Sequence, residues 1–540
     1  MSSSAVVAGL PALAARVDDG DTVALGGKTL HRAPMALVRE LVRQGVEDLT
    51  LVGLANGLDV DLPCGAGVAS AVHYGYVGFE ALGLAPNYRR AVETGAVDPL
   101  EGTCYTVATS LRAARQGVDS LPVAGLAGSD LLEVNPGLSR EPDPRTGEPR
   151  TAVESVAPDV ALVHAVAATE AGDLRLGGAD LTERLCASAA DTVLATAERI
   201  ESRESFAARR PETGVPNHLV DGVAEVPYGA HPTALPGEYD YDAAAIESYR
   251  ERSRAGDLDG HVERVVGASE AGYRERAVAG RADAFAWDGP GAGAERDPAP
   301  ETDRTVAETM AVCLLRRLAR VDNAFQGFAS PLPTAALRAA AERHGTTHLS
   351  ASGAVDSRAP TPLSTESARL LEGAPAQWGS PETFDLAARG AVDVMFVGAA
   401  QFDRAGRMNG TVAGSWDEPT VKFGGGGGSG SLLPLVEHAW GWRTEHSPRT
   451  LPAAVDFVTA VGNLDYLVTP LCAFEPVDGE LAVTALHPGV SETTVRERTG
   501  WDPLFHDPAE TPPPTDEELA LLDRVDPHRV RRAGFSADAL

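Results

Sequence analysis

The chain has 540 residues, too many for a single hydrophobic core, so roughly two to four domains are expected. Its formal net charge is −31 and its isoelectric point is near 4.8, which argues against nucleic acid as a partner. No segment approaches the run of about 18 apolar residues that spans a membrane, and no basic region precedes apolar residues at the N-terminus. We therefore expect neither a membrane span nor a signal peptide.

The acidic residues are spread along the whole chain, and its only lysines are Lys28 and Lys422. An acidic surface poor in lysine keeps a protein soluble where salt screens charge strongly. This pattern indicates adaptation to a salty cytoplasm, whereas an acidic face for a basic partner would concentrate the charge in one block. The five cysteines are an odd number without a C-x-x-C pair, which fits a reducing cytoplasm and argues against disulfides or a zinc site.

Strands and helices alternate in the first part of the chain. Short apolar runs at Thr22–Leu25, 49–52 and 160–163 are typical of buried parallel strands. Between the first two, Met35–Gln44 carries apolar residues at helical spacing. This alternation predicts right-handed βαβ units around a mostly parallel sheet.

A polar connector then separates two regions. Residues 281–304 are rich in Gly, Pro, Ala and acidic residues without an apolar period, which is typical of a linker. Thr305 stands three residues before a glutamate, and this capping box predicts that a new helix begins there. The alternation resumes with strands near 348–350 and 392–397. We therefore predict domains at 1–280 and 305–540, joined by an acidic linker at 281–304.

A strand-to-helix connection in the first region contains two glycines. The strand ends in Gly26 and Gly27, and a short loop leads to a helix that opens at Pro34. Glycines allow a ligand to approach the backbone, and the N–H groups at a helix N-terminus suit an anion. An ordinary tight turn explains the same spacing equally well.

A run of five glycines lies in the second region, at residues 424–428. Val421 precedes it as a predicted strand end, and a helix is predicted from Leu432. A glycine loop in this position can direct backbone N–H groups at a thioester oxyanion or a phosphate. The alternative is a flexible linker.

Taken together, these motifs resemble the CoA-transferases of the glutaconate and 3-oxoacid type. The resemblance covers most of residues 17–245, including the Asp19-Gly-Asp motif that ends in Gly26 and Gly27, and it continues in the Gly-Ala-x-Gln-x-Asp motif at 398–403 and the Leu-His-Pro-Gly-Val motif at 486–490. Two positions depart from the family pattern. Lys28 stands where an aromatic residue is usual and Arg32 where glycine is usual, so these cations either contact a phosphate or carboxylate or are simple surface charges.

The resemblance implies an α/β protein with two open, mostly parallel α/β/α domains of the CoA-transferase type, with both halves fused in one chain. It implies chemistry on an acyl-CoA thioester, with CoA as substrate and no permanently bound cofactor or metal. The expected partners are small molecules, an acyl-CoA and a carboxylic acid, and a homo-oligomer is possible. The expected location is the cytoplasm.

One feature of the family is missing. The family has a Ser-Glu-Asn-Gly turn whose Glu forms a glutamyl-CoA thioester, and this chain has Ser350, Ala351, Ser352 and Gly353 instead. An alanine methyl cannot attack a thioester. Asp356 and Glu366 are the nearest carboxylates along the chain, but surface positions are the simpler interpretation of both.

Three functions therefore remain open: CoA transfer, hydrolysis of a CoA-linked ring, and acyl-CoA binding without catalysis. Steroid-ring-opening CoA hydrolases share this architecture and rely on a glutamate and an arginine, whose positions fall on Cys104 and Gly426 here. Glu101 lies three residues from Cys104, so a single insertion or deletion would restore the glutamate. The catalytic candidates are thus Glu101, Cys104 and Asp356, although a buried inert thiol is the simpler interpretation of Cys104.

The residues predicted to bind substrate or CoA lie in the two glycine loops and the turn around position 351. They are Gly26, Gly27, Lys28, Arg32, Ser350, Ala351, Ser352, Gly353, Gly424, Gly425, Gly426, Gly427 and Gly428.

Overall fold

The computed structural model describes residues 6–209, 214–256, 262, 264–287 and 304–536, so most of the predicted linker lies outside the described residues. The first region contains a ten-stranded sheet whose eight-strand main path is parallel throughout. In order across the sheet, its strands are Val6–Val7, Gly222–Glu225, Thr192–Glu201, Val160–Thr169, Thr22–Leu25, Leu49–Asn56, Ala69–Val77 and Asp98–Glu101. The antiparallel strands Leu174–Arg175 and Gly214–Val215 extend it. A separate antiparallel sheet contains Ser120–Val123, Pro149–Glu154 and Leu138–Pro142.

The second region contains another ten-stranded sheet, parallel at its centre and mixed towards its edges. In order, its strands are Ala376–Gln377, Ala354–Val355, Thr347–Leu349, Asn323–Phe325, Val394–Gly398, His438–Trp442, Leu464–Val468, Cys472–Val477, Glu480–Leu486 and Phe505–Glu510. Two small hairpins pair Gln401–Phe402 with Met408–Asn409 and Val412–Gly414 with Pro419–Lys422.

Helices connect the strands and cover the sheets. In the first region the α-helices are Leu10–Ala14, Met35–Gln44, Leu58–Ala66, Pro86–Glu93, Cys104–Gln116, Leu131–Val134, Glu183–Ala189, Arg203–Ala208, Ala243–Arg254 and Glu270–Ala277. In the second they are Val306–Leu318, Pro331–His344, Ser380–Ala388, Ser429–Leu432, Glu492–Arg498 and Asp516–Val525. Short 3₁₀ helices occupy Glu80–Leu82, Asn217–Leu219, Ala282–Phe285, Ala368–Leu371 and Val530–Arg532. Within the described ranges, no helix has both the length and the apolar character needed to cross a bilayer.

The predicted fold class is confirmed, and several element boundaries follow directly from local sequence. The strand Thr22–Leu25 and the helix Met35–Gln44 have the predicted bounds. Thr305 caps the helix Val306–Leu318, and the Glu308 carboxylate accepts the Thr305 backbone N–H in return. Capping pairs the free backbone N–H groups at a helix start with side chains close by in sequence. It can therefore be recognised from a few adjacent residues.

The predicted helix from Leu432 onwards is wrong. The helix after the glycine run is Ser429–Leu432, which ends where the prediction began, and the next regular element is the strand His438–Trp442. Pro434 lacks a backbone N–H and disfavours a helical conformation in the residue before it, so the apolar run is too short to continue as a helix.

We propose the domain limits 1–280, 281–304 and 305–540. Each large sheet is built from strands on one side of 281–304 only, at least within the described residues. At the start of this segment Ala282–Phe285 forms a turn of 3₁₀ helix with Phe285 buried in a small cluster of the first region. This packing ties the first residues of the predicted linker to the first domain.

Candidate active site

A cavity of about 320 Å³ lies where the two regions meet. Part of its wall follows the carboxyl ends of four neighbouring parallel strands, Thr347–Leu349, Asn323–Phe325, Val394–Gly398 and His438–Trp442. The first region contributes the segment around Lys28 and the residues that follow the strand Ala69–Val77. The carboxyl edge of a parallel sheet is where open α/β folds bind their ligands.

Ala351 forms part of the cavity wall and is 4% exposed. The turn around it is ordered by its own side chains, since the Ser350 and Ser352 hydroxyl groups are 2.9 Å apart and hydrogen-bonded. Gly353 has a φ of 88°, which favours glycine, and a Cβ there would lie 2.5 Å from the Trp378 carbonyl oxygen. The turn is thus held by its own hydrogen bond and by close packing at Gly353. It carries a methyl group where the turn of the resembling family has a carboxylate.

The Lys28 ammonium group lies next to this turn. Lys28 Nζ donates to the Ala351 carbonyl oxygen at 2.8 Å and to Ser380 Oγ at 3.3 Å, and it lies 3.2 Å from Glu366 Oε1. Nζ also stands 4.9 Å from the centroid of the Phe328 ring. Lys28 is 3% exposed and lines the cavity, so it is not the simple surface charge considered from the sequence.

Glu366 was interpreted from the sequence as a surface acid, but its side chain is fully buried. No hydroxyl or backbone N–H of the described residues reaches either carboxylate oxygen, which leaves Lys28 as its charged partner. Burial, opposed by Lys28 and reinforced by the neighbouring Glu80, raises the pKa of Glu366 to about 7. The pair is therefore a buried cation beside a carboxyl group that titrates near neutral pH.

Glu80 holds the chain around Glu366 in place from the opposite region. One carboxylate oxygen accepts the Ala329 N–H at 3.0 Å and the Thr365 hydroxyl at 2.7 Å. The other accepts the Ser364 hydroxyl at 2.6 Å and the Thr365 N–H at 2.8 Å. Glu80 itself has a φ of 55°, a strained conformation that this set of hydrogen bonds compensates.

The glycine run forms another part of the cavity wall. Gly425 N–H donates to the Gly410 carbonyl and Gly427 N–H to the Gly75 carbonyl, which fix the loop against both regions. The N–H groups of Gly424, Gly426 and Gly428 make no hydrogen bond within the described chain. These three amides are the loop's available donors for an anion or an oxyanion.

Glu101 lies beneath this loop, fully buried and outside the described cavity wall. Its carboxylate accepts from Lys422 Nζ at 2.6 Å, from the Tyr74 hydroxyl at 2.8 Å and from the Thr411 hydroxyl at 2.7 Å. A Cβ at Gly425 would lie 3.2 Å from Glu101 Oε1. Burial lowers the pKa of Lys422, and Glu101 opposes that shift.

Three of the predicted binding residues in the first glycine loop lie outside the cavity. The Arg32 guanidinium is fully buried; its Nε donates to Glu183 at 2.6 Å and its Nη2 to the Ala179 carbonyl at 2.6 Å. A Cβ at Gly26 would lie 3.0 Å from a backbone oxygen of the neighbouring strand, and Gly27 has a φ of 84°. These residues shape the loop that presents Lys28.

Two of the catalytic candidates are also placed away from a reactive position. Cys104 Sγ donates to the Leu54 carbonyl at 3.1 Å, and burial raises the pKa of this thiol to about 12, so it stays protonated. Asp356 Oδ1 accepts the His348 N–H at 2.7 Å and lines a different pocket together with Arg338. Neither side chain faces the cavity next to Ala351.

Two side-chain N–H groups without a hydrogen-bond acceptor among the described residues lie at another part of the cavity wall. Trp442 Nε1 and Arg443 Nε are buried and make no hydrogen bond within the described residues. No described carboxylate forms an ion pair with Arg443, whose pKa burial lowers to about 10. Three strand spacings separate their strand from the one preceding Ala351, about 14 Å at the usual spacing.

Sequence reasoning missed the cavity roles of Glu80 and Arg443 and misjudged Glu366. One signal was present for the lysines: all but two of the 46 Lys and Arg residues are arginine, and both exceptions lie in buried ion pairs that join the two regions. No comparable signal marks Glu366 among 77 acidic residues, because its burial depends on contacts with Lys28 and Glu80 from the other region.

Comparison with known proteins gives a consistent result. The family model described as coenzyme A transferase matches residues 10–225. The chain is 37% identical over 229 residues to one of the two subunits of 3-oxoadipate CoA-transferase from Pseudomonas knackmussii, covering 42% of this chain and 80% of that one. It is also 32% identical over 237 residues to the other subunit from the same bacterium, covering 40% and 90%. One chain thus carries similarity to both of these subunits.

Two further likenesses extend the comparison. The chain is 31% identical over 246 residues to the cholesterol ring-cleaving hydrolase IpdA subunit of Rhodococcus jostii, covering 44% of this chain and 82% of that one. The solved structure of an acyl-CoA transferase from Escherichia coli O157:H7 superposes with a TM-score of 0.68 over 94% of this chain and 95% of that one, at 13% identity. At this low identity, the similarity to the Escherichia coli structure concerns the fold alone.

Proposed function

We propose that this chain, which belongs to the coenzyme A transferase family, binds an acyl-CoA thioester in the cavity and transfers its CoA to another carboxylic acid. The observation that carries the proposal is the cavity itself. It brings together the turn at Ala351, the Lys28 ammonium and the free amides of the glycine run. An apolar pocket with a few polar groups directed into it is the usual form of a small-molecule site.

The wall suggests how the thioester is oriented. The amides of Gly426 and Gly428 are suited to stabilise the oxyanion that forms when a thioester carbonyl is attacked. With the thioester near Ala351, Arg443 lies about 14 Å away by strand spacing. The roughly 13 bonds from the CoA sulfur to its first phosphorus reach about 15 Å at the length per bond of an extended chain. This match in length supports Arg443 as the residue that binds the diphosphate of CoA.

A transfer assay tests the function. The protein is incubated with acetyl-, butyryl- or succinyl-CoA and a second acid from the same set, and new acyl-CoA is measured by mass spectrometry. We expect a new thioester to form only when an acceptor acid is present. The variant Ala400→Trp places a large ring on the cavity wall and should abolish turnover. Ala208→Trp makes the same change at an exposed helix end and serves as its control. Activity that survives Ala400→Trp would contradict the assignment of the cavity.

Hydrolysis is a second candidate function. It is favoured by the methyl group of Ala351 and by Glu101, a buried carboxylate directly beneath the glycine run. The relative named as a ring-cleaving hydrolase is compatible with it. Release of free CoA without any acceptor acid, lost in Glu101→Gln, would support this candidate over transfer.

The surface composition supports a proposal about where the enzyme works. Both lysines are buried, so the surface cations are arginines on a chain of net charge −31. This composition supports function in a salty cytoplasm. Activity and thermal stability should both rise as KCl increases from about 0.1 M, where charges are screened over about 10 Å, to above about 1 M.

A further inference from the structure

The cation beside Ala351 has an unusual set of partners. Lys28 Nζ donates to two neutral oxygens, the Ala351 carbonyl and Ser380 Oγ, and forms an ion pair with Glu366 at 3.2 Å. Burying an ammonium group is costly unless a negative charge compensates it. Glu366 supplies that charge, but no other donor of the described residues holds its carboxylate.

Protonation of Glu366 would therefore remove the negative charge that balances the Lys28 ammonium. The groups that face it are Lys28, Glu80, the Tyr76 hydroxyl and the Cys104 thiol, of which Lys28 alone favours the ionised carboxylate. If Glu366 takes up a proton, the Lys28 ammonium remains in an apolar cavity without an anion. A carboxylate that enters from the cavity can then replace it.

We propose, building on the transferase function above, that Lys28 binds the carboxylate of the acceptor acid beside Ala351, and that this carboxylate attacks the thioester in place of an enzyme carboxylate. The missing nucleophile is then supplied by the second substrate. Both substrates must occupy the cavity together, and no acyl or CoA group becomes attached to the protein.

The chemistry balances without a further reactant. A carboxylate oxygen of the acceptor forms a bond to the thioester carbon, and the C–S bond breaks with its electrons on the CoA sulfur. This gives a mixed anhydride of the two acids and a CoA thiolate. The thiolate attacks the acceptor carbonyl of the anhydride, whose C–O bond breaks to release the donor acid as a carboxylate. Lys28 keeps its charge and binds first the acceptor carboxylate and then the departing one.

Proton uptake should accompany binding of the acceptor. A second carboxylate beside Lys28 weakens the attraction that keeps Glu366 ionised, so Glu366 binds a proton as the acid binds. Burial already raises the pKa of Glu366 to about 7. Above that pH, affinity for the acid should fall about tenfold for each pH unit, since one proton must be taken up per acid bound.

The kinetic pattern of the unmodified protein is the first test. We expect intersecting lines when both substrates are varied, and no adduct after incubation with acyl-CoA alone followed by hydroxylamine or borohydride. Parallel lines, together with a trapped adduct on any carboxylate, would overturn the proposal and leave the transferase function intact. If no acid in the panel accepts CoA, the transferase function fails instead.

Binding measurements test Lys28 independently of turnover. Calorimetric titration with succinate, in the presence of saturating free CoA, which does not react with the acid, and in buffers of different ionisation enthalpy, should show uptake of one proton at about pH 8. Lys28→Met should weaken succinate binding at least about 100-fold while acyl-CoA binding stays within about threefold, and Lys28→Arg should restore part of it. Equal succinate affinity in the unmodified protein and in a folded Lys28→Met variant would refute the site.

A second variant tests the same site in case Lys28→Met does not fold. Glu366→Gln removes the counter-charge but leaves the cation, so it should bind succinate at least as tightly as the unmodified protein, without proton uptake and without pH dependence between about 6 and 9. The matched control is Glu518→Gln, which neutralises another buried carboxylate, paired with Arg316 away from the cavity. Retained proton uptake in Glu366→Gln would contradict the proposal.

Discussion

The only two lysines of the chain form two buried ion pairs that differ in how the carboxylate is hydrogen-bonded. Lys28, from the first region, meets Glu366 of the second, whereas Lys422, from the second, meets Glu101 of the first. The Glu101 carboxylate also accepts two hydroxyl groups, and the Glu366 carboxylate accepts none from the described residues. A buried charge is stable when its hydrogen-bonding capacity is filled, so the Lys422 pair has the features of a structural clamp and the Lys28 pair those of a titratable site.

The two lysines also differ in their position relative to the cavity. Lys28 lines the cavity, while Lys422 and Glu101 lie under the glycine loop outside its described wall. Two pairs of the same residue types thus perform different tasks because one is closed by hydroxyl donors and the other is open to a ligand. Four sets of substitutions test the difference between the two pairs.

The largest expected effect is a change of mechanism in Ala351→Glu. This substitution places a carboxylate on the cavity wall beside Lys28, where the resembling family carries its nucleophile. We expect an acyl-CoA-dependent, hydroxylamine-sensitive adduct at residue 351, detected by mass spectrometry, and parallel kinetic lines. Ala351→Gln has a similar size without the nucleophilic oxygen and should form no adduct. Adduct formation by both variants would refute the role assigned to this position.

Breaking the closed pair should cost the most stability. Lys422→Met leaves the Glu101 carboxylate buried without a cation, which should lower the free energy of unfolding by about 3–5 kcal/mol in urea titrations. Lys28→Met should cost less at about pH 6, because Glu366 can then take up a proton. Equal losses for the two variants at that pH would mean that the pairs do not differ as described.

Glu366 should make stability depend on pH. Its pKa rises from 4.5 to about 7 on folding, so the folded state binds the proton more tightly than the unfolded state. Stability from this group is complete below pH 4.5 and falls by about 3 kcal/mol as pH rises through about 7. Urea midpoints of Glu366→Gln should lack this decline between about pH 5 and 8, while Glu518→Gln should retain it. A decline of the same size in both variants would assign it to other groups.

The smallest expected effect concerns a hydroxyl group that closes the Lys422 pair. Thr411→Val removes the 2.7 Å hydrogen bond to Glu101 at nearly constant volume and should cost about 1–3 kcal/mol. Ser380→Ala removes a 3.3 Å contact from the Lys28 pair and should cost less. A larger loss in Ser380→Ala would reverse the distinction between a closed and an open pair.

Local sequence predicted a large part of the fold. The strand Thr22–Leu25, the helix Met35–Gln44 and the cap at Thr305 follow from apolar spacing and turn chemistry within a few residues. The helix predicted from Leu432 was wrong because Pro434 limits an apolar run that otherwise suits a helix. Apolar content alone does not distinguish the two outcomes.

Motifs of adjacent residues were enough to identify the family, the two α/β regions and the missing carboxylate at position 351. The surroundings of that position, in contrast, depend on how the chain folds. Folding placed Arg32 against Glu183, Cys104 against a backbone carbonyl, and Lys28 between Ala351 and Glu366. Lys28 and Glu366 are 338 residues apart, and their charges matter because folding removes water from both. Burial and the identity of long-range partners are properties of packing, and no local pattern encodes them.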